Sequence, residues 1–154
     1  MEKIKCFLET EDSISTLILR IGLGVVIFPH GAQMLLGWFG GHGLEGTLGF
    51  FTTKMGVPYV IAILVIIGEF FGALGLITGF LTRFCAVAMA VIMVGAVAMA
   101  HWNNGFFMNW SGKQAGEGFE YHILAIGIAS ALMILGGGSF SLDQWVSKNI
   151  LNKQ

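Results

Sequence analysis

A single carboxylate interrupts a long apolar stretch of this chain. Of the 24 residues between Pro58 and Arg83, only Glu69 is charged. A helix of that length, rising ~1.5 Å per residue, is long enough to cross the ~30 Å hydrocarbon core of a membrane. Because a charge near the membrane midplane costs at least ~2.5 kcal/mol, Glu69 should face protein or water and have a partner there. We therefore predict a catalytic role for Glu69, and a purely structural hydrogen-bonding role is the alternative.

Histidines on neighbouring apolar stretches are the candidate partners of this carboxylate. His30 lies in the stretch 14–36, and His101 and His122 lie at the ends of two later stretches. Helical side chains lean toward the N-terminus of their own helix, so His30 and Glu69 lean toward each other if their helices are antiparallel. We predict that these two interact directly or through one water, and that His101 relays protons to them.

The same residues also have plainer interpretations. His30 is as readily a packing residue, and His101 and His122 fit interfacial polar positions. With Glu120 these histidines offer nitrogen and oxygen ligands, but their spacing matches no common metal motif, so no metal site is predicted. Arg20 leans toward the opposite membrane surface, where we expect it to snorkel, and it is the rival partner for Glu69.

Four glycines follow one face of the stretch that contains Glu69. They are Gly68, Gly72, Gly75 and Gly79, at steps of four, three and four residues. That spacing places them on one side of a helix, where small residues allow another helix to approach closely. Glu69 lies about 100° away from this face, so the helix can pack on one side and present its carboxylate beside the contact.

The composition is that of an integral membrane protein. Of the 154 residues, 55% are hydrophobic and 11% are charged, whereas soluble domains carry roughly 25% charged residues. We expect one domain, and the net charge of −1 argues against a nucleic-acid partner. Cys6 and Cys85 form no CxxC pair, and they indicate no disulfide framework.

Four apolar stretches predict an all-α transmembrane four-helix bundle. The expected spans are about 14–36, 58–81, 84–100 and 121–138. Two long external loops, 37–57 and 101–120, join the first span to the second and the third to the fourth. The segment 44–55 predicts a short interfacial helix within the first loop. Thr82 and Arg83 are expected to form the tight turn between the second and third spans.

Four spans bring both ends of the chain to one side of the membrane. The basic residues on that side are Lys3, Lys5, Arg83, Lys148 and Lys153, whereas the loop side has Lys54 and Lys113. By the positive-inside rule, the ends are cytoplasmic and both loops are external, in a multi-pass protein of the cell (inner) membrane.

Three segments of the sequence carry a resemblance to a known family. The segment 19–47, LRIGLGVVIFPHGAQMLLGWFGGHGLEGT, closely resembles the opening motif of the DoxX family of small four-helix membrane proteins. The segments 66–83, IIGEFFGALGLITGFLTR, and 101–125 fit the same family. Met34 is a departure, because relatives typically have lysine after the GAQ triplet.

The resemblance implies a membrane redox component. Relatives include a small subunit of archaeal thiosulfate:quinone oxidoreductase and proteins linked to quinone or catechol stress and to thiol-oxidant defence. By this resemblance, the chain helps to move electrons from a thiol or sulfur reductant to quinone, together with a partner redox subunit. The candidate catalytic residues are then Glu69, His30 and His101, and the candidate substrate-binding residues are Arg20, Gln33, Glu120, His122 and Trp38.

The chemistry of a quinone fits these candidates. A quinone needs an apolar slot and groups that exchange protons with its carbonyls, which His30 and Glu69 would supply. The competing interpretation is a non-enzymatic scaffold or small-molecule carrier with a polar cavity. The sequence leaves the cofactor open beyond quinone, and it leaves open whether the protein forms a homo-oligomer in the lipid bilayer.

The charge distribution predicts how reporter fusions will behave. A reporter fused after Gln154 should be active as a cytoplasmic marker, and a reporter inserted beside Lys113 should be active as an external marker. Alkaline phosphatase and green fluorescent protein fusions check both sites. The reverse pattern would refute the predicted orientation.

Overall fold

The computed structural model describes residues 8–149, and all of its regular elements are helical. Cys6, Lys3, Lys5 and Lys153, on which some of the sequence predictions depend, lie outside these residues. The α-helices are α1 (Ile14–Leu36), α2 (Gly43–Gly49), α3 (Tyr59–Thr78), α4 (Thr82–Ala96), α5 (Glu120–Leu135) and α6 (Leu142–Asn149). Short π or 3-10 segments follow α1, α2 and α4, at Trp38–Gly40, Phe50–Lys54, Val97–His101 and Trp102–Asn104.

Three of the helical segments are long and apolar enough to cross a membrane. These are α1, α3 and the continuous segment Thr82–Asn104, while α5 is apolar but shorter. The all-α bundle predicted from the sequence is confirmed. The short helix expected within 44–55 is also present, as α2 and the π-helical turn that follows it.

Local backbone chemistry sets the helix ends. Ser13 caps α1 by accepting a hydrogen bond from the N–H of Thr16 at 3.2 Å. Gly79, with φ of +67°, ends α3 at Thr78, three residues earlier than predicted. The turn is therefore Gly79–Leu81, and the prediction that Thr82 and Arg83 form it is wrong, because they open α4. Gly136, with φ of +78°, likewise ends α5 before the predicted residue 138.

The four long helices form a closed ring. α1 packs mainly on α3, α3 on α4, α4 on α5, and α5 returns to α1. The glycine stripe of α3, which was expected to pack on another helix, faces α4: Gly68 lies opposite the side chain of Ile92, and Gly72 lies opposite the side chain of Met89. These contacts align α3 and α4 along one seam.

Arg20 does not snorkel to water, and this corrects the expectation from its position. It is 1% exposed, and all five of its N–H groups donate to backbone carbonyls. The acceptors lie at the end of α3 and in the segment after α5: Leu76, Ile77, Gly137, Ser139 and Phe140. Arg20 therefore joins three parts of the chain at one end of the bundle.

Helix α6 closes the same end of the bundle through contacts with the start of α4 and with Asp12. Asp143 of α6 accepts hydrogen bonds from the N–H groups of Leu81 and Thr82 at 2.7 and 2.8 Å, which caps α4. Lys148 forms an ion pair with Asp12 at 2.9 Å, and hydrogen bonds from Lys148 and Gln144 lower the pKa of Asp12. We call this the terminal end, and the opposite end, with both long loops, the loop end.

The five bonds of Arg20 make a specific prediction for stability. Arg20→Lys keeps the charge but has at most three donors on a flexible stem, so at least two of the five carbonyls lose their partner. We expect the free energy of unfolding to fall by about 2–4 kcal/mol, measured by thermal unfolding in detergent. Arg83→Lys is the matched control, because the bonds of Arg83 to Glu9 and Ile134 are exposed. Equal, small effects of both variants would contradict the buried clamp.

Candidate functional site

A cavity of about 370 Å³ lies at the loop end, inside the ring of helices. It brings together five of the predicted site residues from all four long helical segments. Its chemically active lining consists of His30, Gln33, Glu69, His101, Glu117, Tyr121 and His122, beside the apolar Ile27, Met34, Met93, Ala96 and Met108. We call it the polar cavity.

Glu69 is held in this cavity by a close approach of two helices. A Cβ added at Gly31 of α1 would lie 2.6 Å from the backbone nitrogen of Phe70, so only glycine allows α1 to pack this tightly on α3. The contact buries Glu69 to 9% exposure, and its Oε2 has no hydrogen-bond partner among the described residues. Burying an unpaired carboxylate oxygen is costly, so a further partner is expected there.

His30 and Glu69 share the polar cavity but form no direct hydrogen bond within residues 8–149. His30 is exposed at the cavity side of α1, whereas Glu69 is buried. The direct form of the predicted pair is therefore absent from the described part of the chain. An interaction through one water stays a prediction.

His101 and His122, which both line the cavity, form a tilted ring pair. Their ring centroids lie 4.2 Å apart at an angle of 41°. Nδ1 of His101 lies 2.8 Å from the carbonyl oxygen of Glu117. Because a carbonyl can only accept, Nδ1 of His101 is the donor in this hydrogen bond. His122 is 6% exposed, and its Nδ1 has no partner among the described residues.

Tyr121 is a cavity residue that the sequence reasoning missed. Its Oη is buried without a partner in the described structure, as are Oε2 of Glu69 and Nδ1 of His122. These three atoms belong to residues that line the same cavity. A fourth such atom, Oγ1 of Thr82, lies at the terminal end. Unpaired polar atoms that cluster in one cavity indicate a bound polar ligand or water.

Three predicted substrate-binding residues do not line the cavity. Arg20 is occupied by backbone carbonyls at the terminal end, and Trp38 is an exposed residue beside Phe39. Glu120 instead organises the second loop: its Oε1 accepts from the N–H of Met108 at 2.8 Å and from Nε1 of Trp110 at 3.3 Å. Glu120 therefore holds the second loop, of which Met108 lines the cavity. Its sequence position alone did not show where its side chain bonds.

Within residues 8–149, no group of three His, Cys, Asp or Glu side chains could hold a metal ion. The polar cavity combines a carboxylate, a phenol and imidazoles instead. These groups exchange protons and bind carbonyl or hydroxyl oxygens.

Comparison with known proteins identifies the family. The DoxX family model matches residues 15–102, which include Glu69, His30 and His101 but not Tyr121 or His122. The chain is 30% identical to "Putative oxidoreductase CatD" of Bacillus subtilis (strain 168) over 139 residues, covering 90% of this chain and 92% of the relative. No solved structure matches the chain. With its apolar helices and its match to this family model, the chain is a multi-pass integral membrane protein that belongs to the DoxX family.

Proposed function

We propose that the protein is a component of a membrane redox system and binds a quinone in the polar cavity. The observation that carries this proposal is the cluster of buried, unpaired polar atoms on Glu69, Tyr121 and His122. The printed name of the Bacillus subtilis relative, which describes an oxidoreductase, supports a redox role. The cavity volume of about 370 Å³ lies within the range of small-molecule sites.

The polar groups of the cavity match the needs of a quinone ring. Each quinone carbonyl accepts hydrogen bonds, and the phenol of Tyr121 is a donor with no other partner in the described structure. Reduction to the hydroquinone takes up two electrons and two protons. Glu69 and His122 stand beside the same space and would exchange those protons with the ring oxygens. His101 and His30 line the cavity as the next acceptors in a path toward the loops.

The electrons come from a reductant outside this chain. A thiol reductant balances the reaction: two thiols form one disulfide and release two electrons and two protons, which convert one quinone to one hydroquinone. Glu117 and Met108 of the second loop line the cavity at the loop end. A partner redox subunit that delivers electrons to this cavity would dock at that end. Cys85 does not take part, because it is a buried free thiol in the half of α4 nearer the terminal end.

The proposed orientation gives the site a compartment. If both ends are cytoplasmic in the cell membrane, the polar cavity opens toward the outer surface. Protons taken up or released during quinone chemistry would then exchange with the external side. The same cavity without electron transfer would serve a non-enzymatic carrier or scaffold, and a binding experiment combined with a redox measurement separates these roles.

The role of Glu69 is tested by quinone titration of the purified protein in lipid nanodiscs. We expect wild type to bind decylubiquinone and its reduced form, and Glu69→Gln to bind the reduced form about tenfold or more weakly, because a hydroxyl that donates to a carboxylate makes a charge-assisted contact of roughly 1.5–3 kcal/mol. Glu45→Gln is the matched control, because Glu45 is an exposed residue of α2 outside the cavity. Unchanged affinity of Glu69→Gln would contradict the proposed site. Binding without any thiol-dependent reduction, in the presence of native membranes, would favour the carrier.

A further inference from the structure

A second cavity lies on the other side of Glu69. It has a volume of about 370 Å³ and runs between α3 and α4 beneath the π-helical turn that follows α2. It shares three residues with the polar cavity, namely Glu69, Ala96 and His101. The rest of its lining is apolar and includes Phe51, Val65, Val91, Ile92 and Met99. We call it the apolar slot.

The mouth of the apolar slot faces the membrane. Val91 of α4 is 66% exposed, and Ile61 of α3 and Met99 beyond α4 are also exposed. These apolar side chains lie on helical segments that cross the hydrocarbon region, so the medium outside them is lipid. The slot thus connects the bilayer with the buried carboxylate of Glu69, whereas the polar cavity reaches Glu69 from inside the ring of helices.

A glycine, Gly95, forms part of the wall of the slot. No atom lies within 4 Å of the position where a Cβ of Gly95 would stand. Toward the terminal end, Ile92 narrows the passage, since its Cδ1 lies 2.8 Å from the Cβ position of Gly68. Beyond Ile92, an apolar groove of about 480 Å³ continues along the same α3–α4 seam, past Gly72 and Gly75.

From this arrangement we propose that the quinone is a tailed, membrane-dissolved quinone that enters laterally between α3 and α4. Its ring reaches Glu69 and His101 at the junction of the two cavities, and its apolar tail stays in the slot and leaves along the seam. Protons exchange separately, through the polar cavity. This inference rests on the proposed function and adds the class of quinone and its route.

The polar end of the slot favours this occupant over others. Glu69 has an unpaired oxygen, which can accept a hydrogen bond from a hydroquinone hydroxyl or, when the carboxyl is protonated, donate one to a ring carbonyl. A phospholipid acyl chain can do neither. A second copy of the chain could cover the seam but would leave the same oxygen unpaired. A water-soluble substrate would need only the polar cavity and would leave the slot without a role.

Gly95→Leu tests the route, because the new side chain fills the slot without meeting a neighbour at its Cβ. Gly127→Leu is the matched control: it adds the same side chain at a glycine of α5 that also has nothing within 4 Å and lies outside the slot. The probes are menadione, which has no tail, and a menaquinone with two isoprenoid units, each titrated against protein in nanodiscs. Gly95→Leu should lower the affinity for the tailed probe by about tenfold or more and the affinity for menadione by less than about threefold. Gly127→Leu should bind both probes as wild type does.

The possible outcomes separate the route from the proposed function. Equal effects of Gly95→Leu on both probes, or no effect on either, would overturn the route while leaving quinone binding intact. Failure of wild type to bind either probe would overturn the proposed function and the route together. If a phospholipid stays bound in the slot, or if Gly95→Leu changes the oligomeric state, the slot is occupied by that lipid or by a second copy of the chain. Either result would overturn the proposal. If Gly95→Leu does not fold, Val91→Trp at the exposed mouth should show the same difference between the probes.

Discussion

The contact between Gly31 and the backbone of α3 is the constraint on which the site depends. It brings the backbone of α1 against Glu69 and Phe70 at distances that exclude any side chain on Gly31. Glu69 is thereby buried between helices, with His30 and Gln33 of α1 on the same cavity. The apolar slot on the α4 side follows from the same placement, because Glu69 borders both spaces. One glycine thus sets the depth, burial and neighbours of the carboxylate.

Three of the four buried polar side-chain atoms that lack a partner among the described residues lie at the loop end, and the fourth, Oγ1 of Thr82, lies at the terminal end. At the terminal end, every N–H of Arg20 has a carbonyl acceptor, and Asp143 caps the start of α4. At the loop end, Glu69, Tyr121 and His122 each have a buried atom without a partner in the described structure. A buried polar side chain whose hydrogen-bonding groups all have partners is typical of a structural role. A cluster of buried polar atoms without partners indicates a site for a ligand. This difference gives Arg20 a structural role and supports the proposal that Glu69 belongs to the candidate site.

The spans and the carboxylate could be predicted from the sequence because both depend on local patterns. The apolar stretches predicted the positions of the membrane-spanning helices, and the isolated charge in one of them predicted a role for Glu69. The bonds of Arg20 could not be predicted, since three of its acceptors lie 117 or more residues away in a glycine-rich segment. Tyr121 was missed because a tyrosine at a helix start reads as an interfacial anchor. A signal for the key contact was present, since Gly24 and Gly31, seven residues apart, both face α3.

The central claim is that Glu69 contacts the quinone at the junction of the two cavities. Infrared redox difference spectroscopy tests it most directly, on purified protein in nanodiscs at saturating decylubiquinone. The account predicts that reduction of the quinone changes a carboxyl band, that Glu69→Gln removes this change, and that Glu45→Gln retains it. A carboxyl band that persists unchanged in Glu69→Gln would contradict the account.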